Sequence, residues 1–75
     1  MNSDHINFLN LELKKLNTYF NQKKYDLVIK DSIKILKNYK KALPFYNFLG
    51  LSYRYIGEID LAEKTFLNAN KIDPK

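Results

Sequence analysis

Apolar side chains recur along the chain at intervals of three and four, the spacing that gathers them on one face of an α-helix, and turn-forming or charged residues break the pattern at three places. Four helices are predicted. The first starts at Ser3 or Asp4, either of which can cap it with a side-chain oxygen. It buries Ile6, Leu9, Leu13, Leu16 and Phe20 and stops near Asn21 to Lys23. The second buries Tyr25, Val28, Ile29, Ser32, Ile33, Ile35, Leu36 and Tyr39. Asp26 sits in its first turn, where a carboxylate suits the helix dipole, and Lys40 and Lys41 close it. The third opens on Pro44, whose missing N–H costs nothing in a first turn, and buries Phe45, Phe48, Leu49, Ser52, Tyr53 and Ile56 until Gly57 ends it in the left-handed conformation. Glu58 and Asp60 open the fourth, whose stripe is Ile59, Ala62, Phe66 and Ala69, and Asp73-Pro74 stops it. Short connections force antiparallel neighbours, so the expected fold is all-α, two helical hairpins side by side.

Composition narrows this to one domain spanning residues 1–75, because a chain of 75 residues has no material for a second core. A hydrophobic content of 45% with 15% aromatics is too rich for disorder. There is no cysteine, hence no disulfide and no thiolate metal site. The first residues, Met1 to His5, lack the basic and apolar segments of a signal peptide. No apolar run is long enough to span a bilayer, so a cytoplasmic protein is expected. The net charge of +5 lies entirely in residues 1–41, while residues 42–75 are neutral.

Tyr19 and Tyr53 lie 34 positions apart, as do the breaks at Lys23 and Gly57, which is a repeat of helix-turn-helix size. Residues 43–74 carry Tyr46, Leu49, Gly50, Tyr53, Gly57, Ala62, Phe66, Ala69 and Pro74, and on these the segment resembles one tetratricopeptide repeat, with Tyr46 in place of the family's usual tryptophan. Shifted back by 34, the signature positions are Glu12, Lys15, Leu16, Tyr19, Val28, Ser32, Ile35 and Lys40, of which only Tyr19 matches directly. This makes residues of about 9–42 a degenerate first repeat and about 43–75 the second. The resemblance implies a fragment of a right-handed α-solenoid. Gly50, Ala62 and Ala69 are small where two helices would cross, and Tyr53 and Phe66 fill the space beside them. Leu16, Val28 and Ile35 stand at the equivalent places of repeat 1. Its hairpin should therefore be splayed wider, with Lys23 held left-handed where glycine is cheaper.

In tetratricopeptide domains the first helix of each repeat lines a concave groove that holds a peptide or partner helix. The resemblance places Asn10, Leu13, Asn17, Phe20 and Asn21 there from repeat 1, and Pro44, Asn47, Leu51, Arg54 and Tyr55 from repeat 2. Asparagine amides suit a peptide backbone, Arg54 suits a carboxylate, and Phe20, Leu51 and Tyr55 offer apolar contact. The family's lysine-asparagine clamp for C-terminal carboxylates is not reproduced, since Leu13 and Phe48 occupy two of its polar positions.

Catalytic chemistry finds little footing. His5 is the sole histidine, beside the first helix start, and is expected to be solvent-exposed there. Asp26, Asp31, Glu58, Asp60 and Glu63 are explained mostly by early turns of helices, and two glycines make no phosphate loop. The expectation is no enzyme, no cofactor and no metal. Lys30, Lys34, Lys37 and Lys41 fall within about 60° of one another on the second helix, a basic stripe. With one arginine among the cations and no aromatics between these lysines, the composition argues first for a solvated face, then for an acidic partner or a membrane surface, and last for nucleic acid.

The expected partner is a protein or peptide. Ile29, Ile33 and Leu36 should face the third helix. Their counterparts Glu63, Leu67 and Asn70 are readier to meet water, while Leu61, Thr65 and Ile72 form a second apolar stripe on the fourth helix. Leu51, Tyr55, Leu61 and Ile72 therefore suggest self-association into a homodimer as one alternative. Another is that the repeats are the N-terminal segment of a longer enzyme, such as a transferase.

Overall fold

The computed structural model describes residues 3–74. They form α1 (Ser3–Asn21), α2 (Tyr25–Asn38), α3 (Leu43–Tyr55) and α4 (Ile59–Ile72), with no strand among the described residues. The start of α1 lies on the end of α2, through His5 and Phe8 against Tyr39. Its end meets the start of α2 and the end of α3, through Phe20 against Tyr25 and Tyr55. Hence α1 and α3 run parallel and α2 runs back beside them. α3 is the shared helix: it packs on α1, α2 and α4, whereas α4 touches α3 alone.

The backbone repeats every 34 residues almost bond for bond. At the end of α1 the N–H of Lys24 donates to the carbonyl of Tyr19 (2.9 Å) and that of Lys23 to Phe20 (3.0 Å); at the end of α3, Glu58 donates to Tyr53 (2.8 Å) and Gly57 to Arg54 (3.0 Å). This pair of bonds is a Schellman cap, which needs a left-handed residue at its turn. Lys23 takes that role at φ 60° and Gly57 at φ 89°. A lysine there costs about 1–2 kcal/mol that glycine avoids. The second helices match as well: α2 and α4 are 14 residues each, entered from Lys24 and Glu58 at nearly the same backbone angles and left through Tyr39 and Asp73.

Gly50 decides how closely α3 and α4 approach. A Cβ built at Gly50 would lie 2.5 Å from Phe66 Cζ and within 2.9 Å of two further ring atoms, so the ring occupies the space a side chain would take. Ala62 is buried in the same seam. The equivalent places of the first hairpin hold the reverse arrangement, large Leu16 on α1 and small Ser32 on α2, both fully buried. Volume is thus filled from the opposite helix. Along the rest of the seam Val28 and Ile35 stand where α4 has alanines, and α1 approaches α2 less closely than α3 approaches α4. Outside this seam, Lys15 reaches Glu12 at 3.0 Å and Asp31 of α2 at 3.5 Å. Hydrogen bonding to Glu12, with the Asp31 charge behind it, raises Lys15 above the ordinary lysine value despite partial burial.

Leu16, Val28, Ile35 and Phe45 form the core, with Leu9, Leu13, Tyr19, Phe20, Leu36, Tyr39, Ala42 and Phe48 partly buried around it. Full burial of a side chain such as Phe45 stabilises by about 1.5–3 kcal/mol. Tyr46 donates its hydroxyl to the Lys40 carbonyl (2.8 Å) and so ties α3 to the preceding loop.

Several expected core positions are exposed instead: Ile6, Ile33, Ile56 and Ile59. Each lies where no further helix is present to cover it, since helical spacing identifies the apolar face but not whether a neighbour reaches it. Ile33 faces outward, not toward α3. Thr65 departs in the other direction: it is buried against α3, donating its hydroxyl to the Leu61 carbonyl (2.7 Å), so it does not belong to an exposed stripe. Asp4 sits inside the first turn of α1, not at its cap. The hydroxyls of Ser32 and Ser52 are buried with no hydrogen-bond partner among the described residues.

Three outcomes follow for stability. Gly50→Ala gains up to about 1 kcal/mol of helix propensity but drives a methyl into Phe66, which costs about 1–3 kcal/mol. Urea unfolding should show net loss, relieved when Phe66→Leu is added. Lys23→Gly should stabilise by about 0.5–1 kcal/mol in the same assay, since relief of the left-handed lysine outweighs the extra freedom that glycine has in the unfolded chain. Amide hydrogen exchange should be faster in residues 5–40 than in residues 45–72, and the reverse order would contradict the looser packing of α1 on α2.

Candidate functional site

Side by side and parallel, α1 and α3 leave a shallow groove whose two ends differ. At the end formed by the start of both helices, Ile6, Leu9, Asn10 and Leu13 of α1 face Ala42, Leu43, Pro44 and Phe45 across a recess of about 340 Å3, with Lys41 at its edge. Proline at the first turn of α3 brings an apolar ring to this recess without wasting an amide donor. The other end is aromatic. Phe20 packs edge-on against Tyr25 (5.4 Å between ring centres), Phe48 (5.8 Å) and Tyr55 (5.7 Å). Tyr25 and Tyr55 stack nearly parallel at 5.1 Å. Tyr55 remains 62% exposed, so it offers ring surface to a ligand.

Of the residues the sequence nominates, Asn10, Leu13 and Pro44 meet at the apolar end, and Phe20 and Tyr55 at the aromatic end. Asn17 and Asn21 are exposed on α1, and Leu51 is half-buried on α3. Asn47 and Arg54 lie elsewhere. Asn47 shares a recess with Phe66, Ala69, Asn70 and Asp73, and the Arg54 guanidinium carbon is 5.4 Å from the centre of the Phe66 ring. Both therefore look toward α4, because the helix turns them past the groove by the time α4 packs on α3. A cation–π contact of this kind is worth about 0.5–1 kcal/mol at an exposed site, and it holds Arg54 against the hairpin.

The sequence reading missed Tyr25 and the loop side of the apolar recess. Tyr25 was legible as the first residue after a Schellman turn, since such a cap commonly brings an apolar residue beyond it back onto the helix it ends. The recess was not, because Ala42 and Leu43 carry no periodic signal of their own. Lys41 lines this recess and lies beyond the end of α2, so the basic stripe on that helix consists of Lys30, Lys34 and Lys37.

His5 is exposed as expected, but it is not idle: its Nδ1 lies 3.2 Å from the Tyr39 hydroxyl, and the two rings meet edge to face at 5.7 Å. This contact fastens the first turns of α1 to the end of α2. Of the four residues suggested for self-association, Tyr55 and Leu61 are exposed and Leu51 and Ile72 half-buried. Among the described residues, no group of three or more His, Cys, Asp or Glu side chains could hold a metal ion, and no helix is long and apolar enough to cross a membrane.

Compared with models of protein families, with curated proteins and with solved structures, the chain matches none.

Proposed function

We propose that the chain is a tetratricopeptide-like interaction module, two repeats of about 9–42 and 43–75, which does no catalysis and takes a peptide or a partner helix in the groove between α1 and α3. The observation that carries this reading is the 34-residue repetition of the backbone, from Schellman cap to second-helix exit, coinciding with the signature side chains of residues 43–74. Both the period and the small-large pairing of Gly50 with Phe66 are what such a repeat requires. The groove supplies complementary chemistry. Asn10, Asn17 and Asn21 place amides along one wall, each able to donate to and accept from a peptide backbone. Leu13 and Pro44 at one end, and Tyr55 at the other, give an apolar side chain somewhere to rest at each end.

Peptides selected from a random displayed library test the reading. A peptide bound in this groove should shift the amide resonances of residues 10, 13, 17, 51 and 55 and leave those of α4 unchanged. Asn17→Ala and Tyr55→Ala should each weaken it about tenfold, as expected when an anchoring contact is truncated. Shifts confined to α2 or α4, or no loss in either variant, would remove the groove as the binding surface.

A further inference from the structure

The face of α2 turned away from the core carries a cluster of lysines. Lys30, Lys34 and Lys37 lie on it within about 60° of one another around the helix. Among the described residues none of the three makes an ion pair, and Asp31, the nearest acid in sequence, is turned to Lys15. Asp26 is the one carboxylate on this side, at the first turn, while Lys23 and Lys24 before the helix and Lys40 and Lys41 after it extend the positive charge past both ends.

This face is not purely polar. Ile33 borders it on one side and Leu27 on the other, 39% and 36% exposed, and Lys30, Ile33, Lys34 and Lys37 surround an open recess of about 480 Å3. Aliphatic side chains among unpaired ammonium groups are what an interfacial surface needs. The charges meet headgroups, the aliphatic groups enter between them, and the lysine stems lie along apolar surface while their ends stay in water.

The residue types discriminate among anionic partners. Lysine is a point charge without the forked geometry that reads bases or grips single phosphates, and no aromatic ring lies on this face to stack a base. A diffuse layer of negative headgroups asks for neither. The inward side of α2 is occupied, with Val28, Ser32 and Ile35 buried, so the helix would rest on a bilayer and not enter it.

We propose that the outer face of α2 docks the protein on an anionic lipid membrane, with Lys30, Lys34 and Lys37 meeting the headgroups and Ile33 inserted among them. None of Lys30, Ile33, Lys34 and Lys37 lines the groove, so membrane docking and groove binding are separate properties.

Co-sedimentation of the full chain with vesicles tests this. Binding is expected to vesicles containing about 30% phosphatidylserine, not to neutral phosphatidylcholine vesicles, and should fall as salt rises from about 50 mM to about 500 mM. Neutralising all three lysines to glutamine should weaken it about a hundredfold, near fivefold for each, with an unchanged circular dichroism spectrum, whereas the matching arginine variant should bind like the parent. Ile33→Ser should weaken it severalfold. No binding to the anionic vesicles at low salt, an unaffected glutamine variant, or an unaffected Ile33→Ser variant would overturn the proposal. So would tighter binding to a single-stranded oligonucleotide or to polyglutamate than to the vesicles.

Discussion

The ring of Phe66 occupies the place where a side chain at position 50 would be, and the rest of the arrangement takes its bearings from that contact. Because α4 is pressed against one side of α3, the other sides of α3 are left for α2 and α1, and Phe45 and Ser52 are accordingly buried on its far flank. A helix with neighbours on three sides has little freedom to rotate. Side chains at its remaining positions, Leu51 and Tyr55 among them, are thereby aimed along the strip beside α1.

The first hairpin answers the same geometry with different chemistry. Large and small exchange helices, with Leu16 and Ser32 standing where Gly50 and Phe66 stand later, and a lysine accepts the backbone angle that glycine takes for nothing. This explains why residues 43–74 announce the repeat while residues 9–42 barely do. Sequence signatures record which side chain stands at a position; packing asks only that the pair across the seam fill the gap, and a swapped pair satisfies it while erasing the signature. The backbone hydrogen bonds that end α1 and α3 correspond even where the side chains around them differ.

Most helix ends were legible because their causes are local: Pro44, Gly57, Asp73-Pro74 and the turn at Lys23 act within a few residues, whereas α2 stops at Asn38, before the Lys40 and Lys41 expected to close it. Burial was legible only where a neighbour exists on the expected side, so Ile33, Ile56 and Ile59 read as core and are surface. The groove was half visible. Its α1 wall follows from one helical face, but whether Asn47 and Arg54 join it depends on the angle at which α4 leans on α3, and no spacing in the chain encodes that angle. Lys41 was assigned to a helix that ends before it, and the recess it borders exists only because two distant segments meet.

The stacked phenol rings of Tyr25 and Tyr55 are a built-in optical reporter. Two nearly parallel rings 5.1 Å apart couple their electronic transitions, and a chain without tryptophan leaves tyrosine emission unobscured. Since one ring belongs to the start of α2 and the other to the end of α3, any event that parts those helices, or any guest that slides over the exposed ring, changes the ultraviolet signal without a label.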